Sequence, residues 1–513
     1  MQIAASIANC AWTAANIPSY VQFRRALKNP AAAQRSKLME LVQRNASSAF
    51  GKSHKFGKIG SYAEFMRRVP PTDYDNLEPW IARIRNGEQG VLTFDRVTRL
   101  VPTSGSSGAR KLIPFSGQLQ AEFNAAVGPW LVGLARRFPS VIGGRAYWSI
   151  TPALGGGAEE ESAVPIGFDS DLEYLSAMRR RFAQSIMAVP PSVARATALE
   201  EFQRGTWLHL LQAGDLRLIS VWHPSFLALL LDALPALWDD LMAELTPARQ
   251  RELVVADPAN ANSFWPKLKV ISCWGDANAR EPMLRLRRRF PGVAIQAKGL
   301  LATEGVVTLP FAGACPVAVT SHFFEFITDK NDVLTVDQLA IGEEYEVMLT
   351  TGGGLWRYRL GDRVRVAGWL ERTPTLEFVG RTGDVSDCCG EKLSERFVRD
   401  SLRELFGPAA PEFALLAPES IEGSWRYILF VESGLNLPSA SYLDALLRRN
   451  PQYAYCRDLG QLREPRVQIV SGGFRAFAMN RTANGARLGD VKPACLSSRA
   501  DWAKAFKAQV PAG

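Results

Sequence analysis

The spacing of apolar residues divides the chain into a helical beginning and a longer α/β region. Across residues 35–50, Leu38, Leu41 and Val42 recur at helical spacing, and the first hundred residues as a whole favour helices with irregular connections. Beyond them, short apolar runs of strand length alternate with helical patterns. Such alternation is typical of a mostly parallel sheet covered by helices, so we expect an α/β fold.

Four short apolar runs are the predicted strands of this sheet, at residues 145–150, 216–222, 268–274 and 293–297. A long helix is predicted after Ser116, whose hydroxyl can cap its first turn. The most hydrophobic run, residues 225–238, contains Asp232 and Pro235 and is shorter than a bilayer requires. It predicts a buried helix, and we expect no association with a membrane.

From Tyr345 onward, apolar and polar residues alternate, which predicts a β-rich subdomain. Residues 380–384, Gly-Arg-Thr-Gly-Asp, are typical of a boundary. The remainder predicts a compact α+β unit whose first helix is capped by Ser394. We therefore expect two domains, a large one over residues 1–381 and a small one over residues 382–513.

Composition narrows the possible functions mainly by exclusion. The 513 residues are 47% hydrophobic and 22% charged, which is ordinary for globular proteins and argues against extensive disorder. The net charge is +9, but lysines and arginines are spread along the whole chain. The basic clusters at residues 179–181 and 285–289 lie in helical patterns, where a charge run is usually a solvated face. We therefore do not expect nucleic-acid binding.

The cysteines and histidines argue against disulfides and against a histidine-built metal centre. The seven cysteines are an odd number without a Cys-x-x-Cys pair, and the four histidines show no metal-ligand spacing. The beginning of the chain is apolar but lacks the positive region of a secretory signal. We therefore expect reduced thiols and a cytoplasmic location.

The stretch from Thr103 to Lys111, Thr-Ser-Gly-Ser-Ser-Gly-Ala-Arg-Lys, is the strongest local signal of function. Its glycines let backbone N–H groups approach a phosphate chain, its hydroxyls donate hydrogen bonds, and its lysine adds a compact positive charge. The spacing is not that of a Walker A loop. It indicates an ATP-binding loop of another lineage, although alone it suits an ordinary Ser/Gly turn equally well.

Further motifs follow this loop in a fixed order. They are KGLLATEG at residues 298–305, SHFFEF at 321–326, TTGGG at 350–354, LWRYRLGD at 355–362, FVGR at 378–381, GEKLSE at 390–395 and GDVKP at 489–493. Their order and spacing resemble the adenylate-forming enzymes, which include acyl-CoA ligases, luciferases and peptide-synthetase adenylation domains. The closer resemblance is to the auxin-responsive acyl acid amido synthetase family, particularly its bacterial members, and it covers nearly the whole chain.

This resemblance implies a nucleotide site. The phosphate loop, which would wrap the β- and γ-phosphates of ATP, would use Ser104, Gly105, Ser106, Ser107, Gly108 and Lys111. Thr303 and Glu304 would lie at the α-phosphate and Mg²⁺, with Glu304 as the metal ligand, since a hard cation prefers oxygen donors. Asp362 would accept both ribose hydroxyls, and Arg381 would reach the ribose or a phosphate.

The resemblance also implies the fold and the reaction. The large N-terminal domain would combine mostly parallel sheets with the β-rich subdomain, and the small C-terminal domain would move, bringing Lys492 to the site to stabilise charge during adenylation. The enzyme would use ATP and Mg²⁺ to convert a carboxylic acid into acyl-AMP with release of pyrophosphate. An amine, most simply an amino acid, would then accept the acyl group. The alternative acceptor is the thiol of coenzyme A or of a carrier protein.

Simpler explanations stay open for several of these residues. Glu304 could be a surface turn residue, and Asp362 could occupy a hairpin turn. Arg381 could form a surface ion pair, and His322 could be a hydrogen-bonded core residue. Lys392 is the alternative to Lys492 as the lysine of the small domain.

Three further points stay open at this stage. Gly383 occupies a hinge position where relatives often carry Asp, so Asp384 could take over its role. The acyl pocket is expected between about residues 123 and 223, with Trp130, Trp148 and Trp222 as linings, although the same residues suit a plain core. A non-catalytic or nucleic-acid-binding protein is the competing class of function, and the absence of a concentrated basic stripe argues against it. The oligomeric state stays undetermined.

Overall fold

The structure is a computed structural model that describes residues 2–103, 111–149, 162–168, 177–382, 385–408, 410–421, 424–432, 438–483 and 486–507. Residues 104–110 of the predicted phosphate loop therefore lie outside the described residues, and with them five of the expected ATP contacts, Ser104, Gly105, Ser106, Ser107 and Gly108. Gly383 and Asp384, the two candidates for the hinge, also lie outside them.

The described α-helices begin with a helical N-terminal region, as the apolar spacing predicted. They are α1 (Gln2–Ala26), α2 (Pro30–Arg44), α3 (Ala49–Ser53), α4 (Tyr62–Arg68), α5 (Tyr74–Arg85), α6 (Gly117–Arg137), α7 (Ala177–Ile186), α8 (Leu199–Gln212), α9 (Pro224–Glu244), α10 (Pro247–Leu253), α11 (Ala261–Phe264), α12 (Arg280–Arg289), α13 (Glu395–Phe406), α14 (Ala440–Leu447), α15 (Pro451–Asp458), α16 (Gly473–Ala483) and α17 (Trp502–Lys507). The hydroxyl of Ser116 accepts from the N–H of Leu119 and caps α6, as predicted.

The described β-strands form five sheets. They are β1 (Val97–Pro102), β2 (Leu112–Ser116), β3 (Arg145–Trp148), β4 (Leu216–Ser220), β5 (Val270–Cys273), β6 (Ala294–Ala297), β7 (Phe323–Ile327), β8 (Val333–Leu334), β9 (Glu344–Thr350), β10 (Tyr358–Leu370), β11 (Thr373–Arg381), β12 (Val385–Ser386), β13 (Leu393–Ser394), β14 (Ala414–Ile421), β15 (Ser424–Glu432) and β16 (Arg466–Val470). The phosphate loop connects β1 and β2, which pair antiparallel.

The predicted parallel sheet is present, in the spatial order β3-β4-β5-β6. Its register aligns Trp148 with Ser220, Ser220 with Ser272, and Ser272 with Gln296. Each strand ends before its predicted end or directly at it. Beyond Ser220 single backbone hydrogen bonds continue the pairing, since the N–H of Val221 donates to the carbonyl of Ser272 (3.0 Å) and the N–H of Trp274 donates to the carbonyl of Trp222 (2.8 Å). The carboxyl edge of the sheet is therefore lined by aromatic and polar side chains.

The predicted β-rich subdomain is an antiparallel sheet with the order β11-β10-β9-β7-β8. A glycine turn leads from β9 to β10, and Gly354 within it has a φ of 98°. A side chain at this position would also place its Cβ 2.5 Å from the Cβ of Leu92. Glycine is therefore required here both by the left-handed backbone and by the close approach of the two segments.

Residues 385–507 form the predicted α+β unit. Strands β14, β15 and β16 form one sheet in this order, and β12 pairs with β13 beside it. Helix α13 is capped by Ser394, as predicted, and is followed by Gly407. The unit has an apolar cluster of its own, which includes Leu393, Val398, Leu416, Tyr427, Leu429, Leu443 and Tyr453.

An arginine cleft lies where α13 faces α12 and the hairpin of β10 and β11. It is a cavity of about 390 Å³, and its basic lining consists of Arg280, Arg287, Arg365, Arg396, Arg399 and Arg403. The acidic residues in this lining are Asp276, Glu377 and Asp400. Arg285, in the same basic run of α12, donates to the carbonyls of Ala410 (3.0 Å) and Pro411 (2.5 Å). The expectation of a purely solvated face is therefore wrong for Arg285, because it connects α12 to the C-terminal unit.

The hydrophobic run of α9 is a buried helix, as predicted, with Phe226, Leu227, Leu230 and Leu234 in the core. Among the described residues, no helix combines the length and the apolar character that crossing a membrane requires.

Candidate active site

The candidate site lies at the carboxyl edge of the parallel sheet, where α/β proteins commonly bind ligands. Trp222 follows β4 by two residues, Trp274 follows β5 directly, and Lys298 follows β6 directly. The ring centres of Trp222 and Trp274 lie 5.6 Å apart. We call this edge the crevice, meaning the tryptophan pair together with the charged residues of the loops beyond the strands.

Glu304 lies in the loop after β6 and is only 4% exposed, so the expectation of a surface turn residue is wrong. Burial raises the pKa of its carboxyl group, and the positive charges of Arg381 and Lys111 oppose this rise. Among the described residues, no basic side chain forms an ion pair with Glu304. A buried carboxylate without a paired cation suits a hard divalent ion, so the residues present fit Mg²⁺.

His322 fixes the loop that carries Glu304. The N–H of Val306 donates to Nε2 of His322 (3.1 Å), so Nδ1 carries the proton and donates to Oε2 of Glu122 (2.9 Å). Glu122 also accepts from the N–H of Gly352, at 2.9 and 3.1 Å. His322 is thus the hydrogen-bonded core residue that the simpler explanation predicted. It connects the Glu304 loop to the glycine turn between β9 and β10.

Asp362 and Arg381 face each other on neighbouring strands. The register of β10 and β11 pairs them directly, and Nε of Arg381 lies 2.8 Å from Oδ1 of Asp362. Asp362 is 5% exposed and lies inside a strand, so the hairpin-turn alternative is wrong. Gly361 before it has a φ of 77°, at a place where the pairing of β10 with β9 is interrupted. This irregularity turns the Asp362 carboxylate toward the crevice loops.

Lys111 is exposed at the beginning of β2, and its charge acts on the carboxyl group of Glu304. Its Nζ lies 5.8 Å from the centre of the Tyr74 ring, and the Tyr74 hydroxyl accepts from the N–H of Leu112 (2.9 Å). Thr303, half-buried, directly precedes Glu304. Lys111, the last residue of the predicted phosphate loop, therefore lies close enough to the Glu304 loop for its charge to act there.

Lys492 reaches the same place from the C-terminal unit. Its Nζ lies 4.3 Å from the centre of the Trp274 ring. Desolvation lowers the pKa of Lys492, although the residue as a whole is exposed, and the charges of Asp362 and Glu304 oppose the shift. Lys392 is exposed on the turn before β13, with a φ of 44°. The structure thus brings Lys492, and not Lys392, to Glu304 and Asp362.

His223 is a residue of this site that the sequence motifs did not reveal. It caps α9, since the N–H of Ser225 donates to its Nδ1 (3.2 Å). His223 is 1% exposed, and burial together with the charge of Lys492 lowers its pKa to about 3. The ring is therefore neutral, with its proton on Nε2, and this N–H has no acceptor among the described residues. Its position before Pro224 at a helix start was the available sequence signal.

The three tryptophans expected in the acyl pocket lie beside this site. Trp130 and Trp148 contact each other edge to face, with ring centres 5.7 Å apart, and Nε1 of Trp130 donates to Oε1 of Gln296 (2.7 Å). Lys298 lies over the faces of Trp130 (5.0 Å) and Trp222 (5.4 Å). Beyond Trp148, a small cavity of about 40 Å³ is lined mainly by apolar residues. The motif that contains Lys298 was recognised, but Lys298 itself was not singled out.

A thiol–carboxylate cluster was not expected from the sequence. Cys389, Glu391 and Cys456 each place one potential ligand atom within 4.8 Å of the others. The Glu391 carboxylate already accepts from the N–H groups of Cys388 (2.7 Å) and Cys389 (2.8 Å) and from the hydroxyl of Tyr427 (2.6 Å). These bonds close the turn before β13, and this turn contains the two adjacent cysteines, Cys388 and Cys389. All seven cysteines are free thiols, as expected.

Comparison with protein families matches two parts of the chain. Residues 20–260 match the GH3 family N-terminal domain, and residues 315–381 match the GH3 family central domain. Together these parts cover more than half of the chain and contain the residues expected at the site up to Arg381, apart from the loop at residues 298–305.

Curated relatives carry names of the same kind. The chain is 25% identical over 449 residues to the probable indole-3-acetic acid-amido synthetase GH3.12 of Oryza sativa subsp. japonica, covering 73% of this chain and 72% of that protein. It is 21% identical to the jasmonoyl–L-amino acid synthetase JAR4 of Nicotiana attenuata, covering 70% of each. It is 23% identical to the 4-substituted benzoates-glutamate ligase GH3.12 of Arabidopsis thaliana, covering 64% and 65%.

Solved structures confirm the fold. The acyl acid amido synthetase AtGH3.15 in complex with 2,4-DB superposes with a TM-score of 0.81 at 18% identity, covering 96% of each chain. The 2-hydroxyisobutyryl-CoA ligase in its postadenylation state superposes with a TM-score of 0.50 at 13% identity, covering 94% of this chain and 93% of the ligase. The fold is therefore that of the adenylate-forming ligases, as the resemblance implied.

Proposed function

The chain belongs to the GH3 family, and from this premise we propose that it is an acyl acid amido synthetase that uses ATP and Mg²⁺. The observation that carries the proposal is the convergence of Lys111, Glu304, Asp362, Arg381 and Lys492. These residues come from separate motifs. The charges of Lys111, Asp362 and Arg381 affect the pKa of Glu304, and the charge of Glu304 in turn affects the pKa of Lys492.

The first step joins the acid to AMP. A carboxylate oxygen of the acid attacks the α-phosphorus of ATP, the bond from this phosphorus to the β-phosphate oxygen breaks, and pyrophosphate leaves. The protein has little covalent chemistry to perform, and its work is positioning and charge neutralisation. Lys111 would hold the β- and γ-phosphates, and Lys492 would stabilise the charge that develops on the α-phosphate.

Glu304 and His223 would complete this arrangement. A bound Mg²⁺, held by Glu304, would supply charge neutralisation on the phosphate oxygens. The Nε2–H of His223, buried beside Lys492, is a neutral donor that suits a carboxylate oxygen of the acid. The ribose hydroxyls would donate to Asp362, which would share Arg381 with the nucleotide.

The second step forms the amide. The nitrogen of an amine, most simply an amino acid, attacks the acyl carbonyl carbon, AMP leaves, and the nitrogen loses a proton. We place the large domain at residues 1–381 and the small mobile domain at residues 382–513. Rotation about residues 380–385 would remove Lys492 after adenylation and open the site to the amine.

The cellular location and the partners that we propose follow from the free thiols and from the substrates. Seven free cysteines suit a reducing compartment, so we place the enzyme in the cytoplasm. Its partners would be small molecules, a carboxylic acid and an amino acid.

The test is acid-dependent release of pyrophosphate from ATP and Mg²⁺, over a panel of aromatic, indole and aliphatic acids. Each acid is supplied alone, with mixed amino acids, or with coenzyme A, and products are identified by mass spectrometry. An amide product that requires an amino acid supports the proposal. A thioester instead would establish the alternative acceptor.

The variants K111A and E304A are expected to lose acid-dependent pyrophosphate release by at least about 100-fold, since each removes charge compensation at the phosphates. K392A, at an exposed lysine, is the matched control and should retain activity. Full activity in both K111A and E304A would contradict the proposal.

A further inference from the structure

Lys298 is a buried lysine without a carboxylate partner. It is 7% exposed, and its Nζ donates to Oγ of Ser220 (2.6 Å) between the faces of Trp130 and Trp222. Among the described residues, no acidic side chain pairs with it. A protonated amine has three N–H donors, so donors remain available after the bond to Ser220.

This arrangement is costly unless something else balances the charge. A buried ammonium group requires a counter-ion or strong hydrogen bonds, and two aromatic faces supply only part of that compensation. Burial accordingly lowers the pKa of Lys298 to about 8. A hydrocarbon side chain of similar length would pack here without this cost, so the ammonium group is better explained by a ligand than by folding.

Polar groups around Lys298 are arranged to share such a ligand. Ser220, Ser272 and Gln296 lie in register across the sheet, so their side chains point to one face. The Ser272 hydroxyl is buried and has no hydrogen-bond partner among the described residues. Gln296 accepts from Trp130 through Oε1, which leaves its amide N–H groups to donate.

The tryptophan pair separates Lys298 from the reacting centre. Lys298 lies on Trp222, Lys492 lies on Trp274, and the two ring centres are 5.6 Å apart. The charges of Glu304, Asp362 and Arg381 shift the pKa of Lys492, whereas none of these three charges is among the causes of the shift at Lys298. The crevice therefore has two separate basic positions, one at each end of the tryptophan pair.

We propose that Lys298 binds a second anionic group of the acyl substrate, so that the preferred acids are dicarboxylates or acids with a comparable remote anion. One carboxylate would react beside Lys492 and His223, and the other would lie against Lys298, Ser272 and the Gln296 amide. The inference rests on the proposed function, since it names the class of acid that this site takes.

The experiment compares matched acids that differ only at the remote group. Each pair consists of a dicarboxylic acid and its half-amide, such as benzene-1,4-dicarboxylate with 4-carbamoylbenzoate, and linear acids of increasing length. Acid-dependent pyrophosphate release gives kcat and KM for the wild type, K298M and K298R. In the wild type, at least one dicarboxylate should exceed its half-amide about tenfold or more in kcat/KM.

The variants then test whether the preference for dicarboxylates depends on the charge of Lys298. K298M should bring this ratio close to one, mainly by raising KM for the dicarboxylate, and K298R should retain most of it. K392M, at the exposed lysine, should keep the wild-type ratio. Half-amides that are used as well as dicarboxylates by the wild type, or a preference that persists in K298M, would overturn the inference.

A direct binding measurement keeps this test separate from the proposed function. Calorimetric titration of the same acids into the unmodified full-length chain and into K298M does not depend on turnover. If no acid releases pyrophosphate but a dicarboxylate binds the wild type and not K298M, the proposed function fails and the anion site stands. If no dicarboxylate binds better than its half-amide in either measurement, the anion site is refuted.

Discussion

At the scale of single residues, the site contains two groups, Glu304 and Lys492, whose pKa values are shifted against their charged forms. Burial raises the pKa of Glu304 and lowers the pKa of Lys492. Nucleotide phosphates beside the lysine and a divalent cation beside the carboxylate would reverse both effects. Binding of the nucleotide and binding of its metal should therefore be cooperative and coupled to protonation. The charge that each brings lowers the free-energy cost of the other charge at the site.

The two lysines of the C-terminal unit should differ sharply in their effects. K492A is expected to reduce acid-dependent pyrophosphate release by about 100-fold or more, because the variant removes the ammonium group near Glu304 and Asp362. K392A removes an exposed charge and should change the rate less than twofold. Steady-state assays of both variants decide the point, and the opposite ranking would show that Lys392 is the lysine of the small domain.

His223 should act through binding of the acid. H223F removes the buried Nε2–H and is expected to raise KM for the acid about tenfold, with a smaller change in kcat, because one neutral hydrogen bond to a carboxylate is lost. H223Q keeps a donor in this region and should recover part of the affinity. Because the ring is neutral, with a pKa of about 3, the wild-type KM should not depend on titration of His223 between pH 6 and 9.

Lys298 should make the wild type less stable near neutral pH than a variant without the charge. Its folded pKa is about 8 and its ordinary value is 10.5, so between these values the unfolded chain holds a proton that the folded chain has lost. The free energy of unfolding attributable to Lys298 therefore rises with pH across this window, and its cost is fully present below pH 8.

K298M is thus expected to be more stable than the wild type at pH 7, by about 2 kcal/mol, with the difference shrinking toward pH 10.5. Urea denaturation of both proteins at several pH values gives the comparison. K392M provides the reference, since an exposed lysine should produce no such difference. A K298M variant that is less stable at pH 7 would show that the ammonium group is paired in the folded chain.

At the scale of elements, the loop after β6 is positioned from outside the crevice. The chain of bonds from Val306 through His322 and Glu122 to Gly352 ties it to the turn between β9 and β10. Gly305 allows the loop to approach the His322 ring, since a Cβ there would lie 2.8 Å from Nε2. Small displacements at His322 should therefore be transmitted to Glu304.

G305A tests this positioning. The added methyl group should displace His322 or the loop, lowering the free energy of unfolding by about 1–3 kcal/mol and the rate of pyrophosphate release by at least tenfold. G57A is the matched control, because a Cβ at Gly57 would meet no atom within 4 Å. Wild-type rates in G305A would mean that the loop tolerates the displacement.

Prediction from the sequence was strongest where local chemistry decides the structure. The caps at Ser116 and Ser394 and the parallel strands follow from turn chemistry and apolar spacing. Two strands were predicted one or two residues too long, to Trp222 and Trp274, because tryptophans favour strands, although a backbone hydrogen bond between these two residues continues the pairing beyond the strand ends. Lys298 was missed because its burial results from tertiary packing, which periodicity does not report.

At the scale of the whole molecule, the arginine cleft places like charges on both sides of the junction between the large and small units. Arg280 and Arg287 belong to α12, while Arg396, Arg399 and Arg403 belong to α13. Arg396 pairs with Glu344 and Arg403 with Asp400, so only part of the like charge remains to repel across this partly enclosed space, and salt weakens it further. The cleft should therefore favour release of the small unit from the arrangement that holds Lys492 at the site.

The double variant R280Q/R287Q should strengthen contact between the units. Pyrophosphate release in a single turnover is expected to stay within about twofold of the wild type, whereas steady-state formation of the amide should slow about threefold or more, because rotation becomes harder. Its rate should also respond less to ionic strength. Equal effects on pyrophosphate release and on amide formation would show that the cleft does not influence the proposed domain rotation.

The tryptophan pair of the crevice has a consequence for how such an enzyme can diversify. Under the proposals made above, Lys492 on one side of the pair would serve every acid, while Lys298 on the other side would contact only the part in which acids differ. Substitutions on the second side can therefore accumulate without disabling the chemistry on the first. This modularity suits a lineage whose relatives carry the names of indole-3-acetic acid, jasmonic and benzoic substrates. It predicts that new acid specificities evolve mainly through residues that pack against Trp130 and Trp222.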